Sequence, residues 1–261
     1  MYIDVHCHLT GEEFDAVGGI EKVVERAQNV GVRRMICSGF DLHSSIKAKA
    51  LAERFDCVYF CAGFHPSEVN RYQEGDLTEI KKLCLHEKCV GVGEIGLDYH
   101  FENNPSKQLQ KELFIRQLQL AHELNLPVVL HSRDAGKDTA DILVEYQHLL
   151  KKGGLMHCYS YSPQMSETFL KLGLHFSFGG TSTFKNAKKV QDSVCQIPAT
   201  RLLTETDCPY LTPVPFRGTF PNQPENVVYV TKQLAFLKGV ELETMQKQIL
   251  ENAYTLFSKL K

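Results

Sequence analysis

The chain has 261 residues, of which 43% are hydrophobic and 23% are charged, with 29 basic residues against 31 acidic ones. This composition excludes a disordered, collagen-like or repeat-biased chain, and the length suits one large domain or two small ones. A formal net charge of −2 argues against a protein that coats nucleic acid through a broad basic face. No segment has the roughly 20 apolar residues of a membrane helix, and the first residues do not resemble a signal peptide.

The nine cysteines form no Cys-x-x-Cys pair, and their number is odd. A disulfide framework is not expected in a chain of this length that lacks a secretion signal. Most of the cysteines stand in apolar runs, so we predict small core residues in a reducing compartment. The sequence therefore predicts an intracellular protein, in the nucleus, the cytoplasm or both, without membrane association.

Short apolar runs alternate with longer amphipathic ones. We predict eight strands, at residues 2–6, 34–38, 58–63, 90–95, 128–131, 154–157, 175–178 and 202–204. We predict helices at residues 20–30, 44–55, 77–85, 107–125, 138–150, 162–172, 188–196, 226–238 and 241–259. Strands that alternate with helices indicate a parallel sheet, and eight such units have the size of a (β/α)8 barrel, with a doubly wound open sheet as the alternative.

The segment 209–224 contains five of the ten prolines, which excludes a continuous helix or a central strand there. It follows the last predicted strand, where a barrel would place an active-site loop. Because the chain shows no linker, repeat or low-complexity segment, we predict a single domain over residues 1–261.

Histidine and carboxylate side chains stand at the predicted ends of five strands. His6 and His8 close the first strand, and alternate residues of an extended chain point the same way. The other four are Glu94, His131, His157 and Asp207, at the ends of the fourth, fifth, sixth and eighth strands. The carboxyl ends of parallel barrel strands converge at one mouth, where barrel enzymes keep their active sites. Imidazole with carboxylate suits zinc, manganese, magnesium or iron, so we predict that these six residues bind metal.

Each of these residues alone has an ordinary structural interpretation, such as a polar strand end or a packing histidine. The prediction of a metal site depends on all six residues standing together at strand ends in the order that a barrel requires. His65 follows the third strand at the same mouth, and we assign it to substrate contact, with stabilisation of a turn as the alternative. The remaining histidines, His175 among them, are predicted to be surface or packing residues.

Six motifs lie along the chain: His6-x-His8, Gly63-x-His65-Pro66, Gly93-Glu94-Ile95-Gly96-Leu97-Asp98-Tyr99, His131-Ser132-Arg133, His157-Cys158 and Glu205-Thr206-Asp207-x-Pro209-Tyr210. Together they resemble the TatD family of metal-dependent deoxyribonucleases over essentially the whole chain. The resemblance implies a TIM-type barrel of the metal-dependent hydrolase superfamily and two divalent ions, drawn from zinc, magnesium and manganese. It implies hydrolysis of DNA phosphodiesters, as a 3′–5′ exonuclease, with abasic-site cleavage as a further activity.

The same resemblance implies roles for the six residues. Glu94 would bridge the two ions, with His6, His8 and Asp207 on one ion and His131 and His157 on the other. DNA would be the partner, contacted locally through its phosphates and the metal ions, and we expect the chain to act as a monomer.

The loop after the eighth strand departs from the family pattern. The family often carries Arg-x-Glu-Pro or Asn-Glu-Pro there, whereas this chain reads Pro221-Asn222-Gln223-Pro224-Glu225. Gln223 therefore stands where a carboxylate is expected.

Phosphodiester chemistry suggests roles for four side chains. The negative charge of the phosphate repels hydroxide, and bound cations would neutralise that charge. Asp207 could accept the proton of the attacking water while also binding metal. Arg133 could hold a phosphate oxygen through its planar guanidinium, or form a salt bridge instead. We group Glu205 with His65 and Arg133 as residues that serve the substrate. For Glu205, orientation of a metal-binding histidine and an ordinary barrel-interior position are the alternatives.

Two other functions are compatible with these residues. An amidohydrolase-type enzyme would act on a small phosphoester, amide or lactone. Such enzymes commonly bridge their metals with a modified lysine after the fourth strand, and residues 90–98 contain no lysine. A metal-stabilised scaffold without turnover would be favoured if predicted ligands were missing, and none is.

Overall fold

Eight strands form one parallel sheet in the computed structural model, which describes residues 1–260. The strands are β1 (Tyr2–Cys7), β2 (Val32–Ser38), β3 (Val58–Ala62), β4 (Cys89–Asp98), β5 (Val128–Arg133), β6 (Gly154–Met156), β7 (His175–Phe178) and β8 (Leu202–Thr204). Each strand pairs in parallel with its neighbour in the sequence, in the order β1 to β8. This sequential order confirms the predicted (β/α)8 barrel, because a doubly wound sheet reverses its strand order part-way.

Helices cover the outside of the sheet. They are α1 (Gly19–Asn29), α2 (Leu42–Arg54), α3 (Asp76–Cys84), α4 (Lys107–Leu124), α5 (Gly136–Glu145), α6 (Pro163–Lys171), α7 (Lys188–Gln196), α8 (Val227–Lys238) and α9 (Leu242–Leu256). Each lies at a predicted position, with ends that differ by a few residues. Within residues 1–260, no helix has the length and apolar character needed to cross a membrane.

Two predicted helices are too long. The helix predicted at 138–150 ends at Glu145, and a separate 3-10 turn follows at Gln147–Leu149, where hydrogen bonds span three residues instead of four. The helix predicted at 241–259 ends at Leu256. Phe257 leaves the helical region with φ −101° and ψ 78°, and the chain then turns so that Phe257 and Leu260 are both buried.

The seam between β8 and β1 closes the barrel through a few specific hydrogen bonds. The Thr204 hydroxyl donates to the Ile3 carbonyl at 3.1 Å, and the Asp207 amide donates to the His6 carbonyl at 3.0 Å. The His8 amide donates to the Cys208 carbonyl at 2.7 Å. These bonds bring the segment after β8 alongside the end of β1.

Apolar side chains fill the barrel and the layer between barrel and helices. Large aromatic residues such as Phe60, Phe176 and Phe178 are almost fully buried there. The nine cysteines are all unpaired thiols, and seven of them are buried, which confirms the prediction that most are core residues.

Strand β4 runs further than predicted, so Glu94 lies in the middle of the strand and not at its end. Two glycines bring this strand close to β5. A Cβ on Gly93 would lie 2.6 Å from the Val129 Cβ, and one on Gly96, whose φ is +141°, would lie 2.0 Å from the His131 carbonyl oxygen. Only glycine therefore permits this approach, which sets the Glu94 carboxylate beside the end of β5.

Candidate metal centre

The barrel mouth brings together all six side chains that we predicted as metal ligands. His6 belongs to β1 and His131 to β5, while His8, His157 and Asp207 follow the ends of β1, β6 and β8. Asp207 lies three residues after the end of β8 at Thr204 and has a φ of +52°, so its backbone is not extended. Its turn is held by the hydrogen bond to the His6 carbonyl across the seam.

The Glu94 carboxylate lies between two pairs of imidazoles. Its Oε2 is 3.3 Å from His6 Nε2 and 3.4 Å from His8 Nε2. Its Oε1 is 2.9 Å from His131 Nδ1 and 2.8 Å from His157 Nε2. One carboxylate therefore presents each of its oxygens to a different pair of nitrogen ligands.

A second carboxylate serves only one of these pairs. Asp207 Oδ1 lies 3.5 Å from His8 Nε2 and 3.7 Å from His6 Nε2. Among residues 1–260, five groups of three possible ligand atoms lie within 4.8 Å of one another, and two of them consist only of predicted ligands: His6 with His8 and Asp207, and Glu94 with His131 and His157.

Three of the histidine rings also contact a polar group through the nitrogen that faces away from the cluster. The Nδ1 of His8 lies 2.9 Å from the Ser38 carbonyl oxygen, and the Nδ1 of His6 lies 3.1 Å from the Ser38 hydroxyl. The Nε2 of His131 lies 3.0 Å from Asp98 Oδ2. Such contacts to the far nitrogen of a metal-binding histidine fix the tautomer and the direction of the ring.

The donor set fits a divalent cation. A carbonyl oxygen only accepts hydrogen bonds, so His8 carries its proton on Nδ1 and the neutral ring directs an electron pair from Nε2 towards Glu94. The Asp98 carboxylate imposes the corresponding tautomer on His131, whose Nδ1 lies 3.1 Å from His157 Nε2. Electron pairs that face a carboxylate and one another repel, and a cation among them converts that repulsion into ligation.

The electrostatics of the cluster favour an ionised carboxylate. Burial opposes ionisation of Glu94, yet the surrounding imidazoles, His157 foremost, hold the pKa of its carboxyl well below the usual range. Burial alone would lower the pKa of His131, but the carboxylates of Asp98 and Glu94, one beside each ring nitrogen, raise that pKa above the ordinary value. The mouth is thus built to concentrate negative charge next to imidazole, which is what a divalent cation requires.

Comparison with known proteins gives the family. The family model described as TatD related DNase matches residues 3–258. The chain belongs to the TatD family. Over 257 residues it is 44% identical to the uncharacterized metal-dependent hydrolase YabD of Bacillus subtilis, covering 98% of this chain and 99% of that one. It is 32% identical to the 3′-5′ ssDNA/RNA exonuclease TatD of a Rahnella species, covering 98% of this chain and 97% of the other.

A solved structure of the TatD family has the same fold. The TatD homologue YjjV of Escherichia coli superposes with a TM-score of 0.91 at 33% identity, and the match covers 98% of each chain. The chain is therefore a metal-dependent hydrolase of the TatD family, and its barrel is the fold of that family.

His65 lies at the edge of the cluster, as its position in the sequence predicted. Its Nε2 is 3.5 Å from Glu94 Oε1, and its ring centroid is 4.3 Å from that of His131. Its Nδ1 is 2.8 Å from the Ser67 hydroxyl, so the turn-stabilising contact that we kept as an alternative is also present. Burial, reinforced by the nearby His131, lowers the pKa of His65 to about 3, so this imidazole is neutral and can offer only an uncharged contact.

Arg133 and Glu205 differ sharply in access. Arg133 is exposed at the end of β5 and lines a cavity that opens beside His131 and His157. Glu205 is completely buried, accepts a hydrogen bond from the Ser177 hydroxyl, and has its Oε1 3.7 Å from His157 Nδ1. The grouping of Glu205 with the substrate residues stays a prediction, and the burial of its carboxylate behind the ring favours the alternative of orienting His157.

Two residues that hold the histidines, Asp98 and Ser38, were missed by the sequence reasoning. Asp98 follows Glu94 by four residues in β4, so both side chains lie on the same face of the strand. That spacing was available as a signal, but only with β4 extended to its true end. Ser38 closes β2 and carries no chemical pattern that distinguishes it from other strand ends.

Gln223 lies away from the cluster. Its Oε1 accepts hydrogen bonds from Arg26 on α1, at 3.0 Å from Nε and 2.5 Å from Nη2. Glu225 is 3.9 Å from the same Arg26 Nε. The departure from the family pattern therefore changes a contact between the loop and α1, and not the ligand set at the mouth.

Proposed function

We propose that this chain hydrolyses phosphodiester bonds of DNA, as a single domain that holds two divalent cations at the barrel mouth. The observation that carries the proposal is the position of Glu94, whose two oxygens each face a separate pair of imidazole nitrogens. Two similarities support DNA as the substrate. The family model describes a DNase, and the Rahnella relative is named a 3′-5′ ssDNA/RNA exonuclease.

The ligands divide between two cation positions. His6, His8 and Asp207 would hold one ion, His131 and His157 the other, and Glu94 would be shared. Zinc, magnesium and manganese all suit imidazole mixed with carboxylate. Bound there, such cations would neutralise the phosphate charge and make water acidic enough to serve as a nucleophile near neutral pH.

Asp207 would take the proton of the attacking water. Its side chain is 14% exposed, whereas that of Glu94 is only 3% exposed, so Asp207 is the carboxylate that faces the cavity. Burial opposes its ionisation, but the neighbouring imidazoles, His8 foremost, lower its pKa overall, so it is ionised at neutral pH and can accept a proton.

Arg133 and His65 would contact the substrate on either side of the cluster. The guanidinium of Arg133 can hold a phosphate oxygen with two parallel hydrogen bonds. The neutral imidazole of His65 can exchange a hydrogen bond with the sugar or the leaving oxygen. We propose DNA as the partner, a monomer as the acting species, and the cytoplasm or nucleus as its location.

The test is release of nucleotides from single-stranded DNA labelled at its 3′ end. Protein stripped of metal is assayed alone and after addition of Mg²⁺, Mn²⁺ or Zn²⁺, beside a substrate labelled at the 5′ end and one with an internal abasic site. We expect metal-dependent release of the 3′ label as mononucleotides before the 5′ label shortens to small products. Protein that binds metal and cleaves none of these substrates would overturn the proposal and favour a small phosphoester or lactone.

A further inference from the structure

A cavity of about 400 Å³ opens beside the metal cluster, between the loops that follow β5, β6, β7 and β8. His131, His157 and Asp207 line its inner end. Arg133 lines one part of the wall, and Arg217 with Phe184 lines another. Its volume is that of a small-molecule site, so it can receive one unit of a polymer next to the reacting bond.

Arg217 has no carboxylate partner within ion-pair distance among residues 1–260, and neither has Arg133. Their guanidinium groups lie over phenylalanine rings instead, Arg217 at 4.0 Å from the centroid of Phe184 and Arg133 at 5.1 Å from that of Phe101. A guanidinium that lies over a ring can keep N–H groups free for another acceptor. Two guanidinium groups without acidic partners therefore line a cavity whose inner end is formed by the proposed metal ligands.

The loop that carries Arg217 is held in place before any substrate arrives. The Thr212 hydroxyl donates to the Thr219 carbonyl at 2.6 Å, which closes the base of the loop. The Val214 amide donates to the Thr183 hydroxyl at 2.9 Å and ties it to the segment after β7. A Cβ on Gly180 would lie 1.8 Å from the Leu211 carbonyl oxygen, so the two segments are in direct backbone contact. Such prior order lowers the entropic cost of binding.

From this arrangement we infer that Arg217, stacked on Phe184, binds the phosphate adjacent to the one that is cleaved. The inference rests on the proposed function and adds to it a selectivity for polynucleotides over isolated phosphodiesters. The metal cluster takes one phosphate, and Arg217 takes the next one along the same strand.

The binding test uses two thymidine nucleotides that differ by one phosphate. Thymidine 3′,5′-bisphosphate and thymidine 5′-monophosphate are titrated into metal-loaded wild type, Arg217→Ala and Arg217→Lys. A charged hydrogen bond of ordinary strength predicts that the second phosphate tightens binding about tenfold to a hundredfold in the wild type. Arg217→Ala should abolish that difference, and Arg217→Lys should restore part of it.

Arg116→Ala is the matched control, since Arg116 also lies over an aromatic ring, 5.1 Å from the centroid of Tyr72, but belongs to α4 and does not line the cavity. It should keep the full preference for the bisphosphate. The kinetic counterpart is the ratio of kcat/KM for a trinucleotide to that for bis(p-nitrophenyl) phosphate, which Arg217→Ala should lower by about tenfold or more.

The outcomes separate this inference from the proposed function. DNA cleavage with an unchanged preference ratio in Arg217→Ala overturns the inference alone. An equal loss of kcat/KM on all substrates in Arg217→Ala also overturns the inference, because that result shows that Arg217 supports the loop structure. If the wild type cleaves no DNA, the proposed function fails, and the bisphosphate titration still decides whether Arg217 holds a second phosphate.

Discussion

Both carboxylate oxygens of Asp4 contact Thr206 across the seam between β1 and β8. Oδ1 accepts a hydrogen bond from the Thr206 amide at 3.0 Å, and Oδ2 lies 2.5 Å from the Thr206 hydroxyl, which donates to it. Oδ1 also accepts from the His6 amide at 3.3 Å. A single buried side chain thereby couples the backbone that carries His6 to the residue just before Asp207.

Removing this carboxylate should destabilise the closed barrel. Asp4→Ala leaves two buried amides and a hydroxyl without their acceptor, so we expect the free energy of unfolding to fall by about 2 to 4 kcal/mol. Asp4→Asn keeps one oxygen for the amides and should lose clearly less. Urea unfolding of both variants checks this, and an Asp4→Ala protein as stable as the wild type would show that the seam does not depend on Asp4.

Asp207→Asn should separate proton transfer from metal binding. The asparagine oxygen can still ligate a cation, but the amide cannot accept a proton from water, so we expect kcat on DNA to fall by about 10² to 10⁴. Metal content measured on the same sample should remain close to that of the wild type. Asp192→Asn, an exposed change on α7 where Asp192 pairs with Lys188 at 3.0 Å, is the control. Full turnover by Asp207→Asn with metal retained would remove Asp207 from the base role.

Asp98→Asn should weaken metal binding without touching a ligand. The side-chain amide that this substitution introduces can donate to His131 Nε2, which favours the tautomer with a proton on Nδ1, where the ligand electron pair belongs. We expect the affinity for zinc, measured by competition with a chelator, to fall about tenfold to a hundredfold.

A second histidine–aspartate pair, on the protein surface, provides the control for Asp98→Asn. Asp134 Oδ2 lies 2.8 Å from His100 Nδ1, and both side chains are exposed. Asp134→Asn should leave zinc affinity unchanged. Equal affinities in Asp98→Asn and the wild type would mean that Asp98 does not position His131.

The order of the strands and the convergence of the six side chains were both predictable from sequence. Alternation of short apolar runs with amphipathic helices indicates a parallel sheet, and a sequential barrel then brings every strand end to one mouth. His6, His8 and His131 could be placed by this rule because each lies within two residues of an apolar run.

The residues that support the cluster depend on contacts that no local pattern reveals. Glu205 stands two residues before Asp207, but β8 ends at Thr204 and Asp207 has a positive φ, so strand alternation does not relate the two side chains. The contact of Glu205 with His157 links the segment after β8 to the segment after β6, and that of Asp98 with His131 links two neighbouring strands. Such pairs follow from strand register, which the sequence alone does not specify.

His175 should make the fold sensitive to acid. It lies at the start of β7, is 4% exposed, and its Nδ1 has no hydrogen-bond partner among the described residues. Burial, reinforced by the nearby charge of Arg201, lowers its pKa from 6.5 to about 4. Between pH 6.5 and pH 4, His175 is therefore protonated in the unfolded chain but neutral in the folded one.

Stability from this residue is fully present above pH 6.5 and is lost as the pH falls towards 4, by up to about 3 kcal/mol. His175→Phe removes the titrating group while it keeps a ring in the core. We expect the difference in unfolding free energy between pH 7 and pH 4.5 to be smaller in the variant by roughly 2 kcal/mol. An identical pH dependence in both proteins would show that His175 is not a source of acid sensitivity.

The most direct test of the whole account is a titration of metal-stripped protein with Mn²⁺ while nucleotide release from 3′-labelled single-stranded DNA is recorded. The arrangement of imidazoles on both sides of Glu94 predicts no release without metal and full activity only when two ions are bound per chain. Release that survives complete removal of metal, or none at any loading of a protein that binds the ions, would contradict the account.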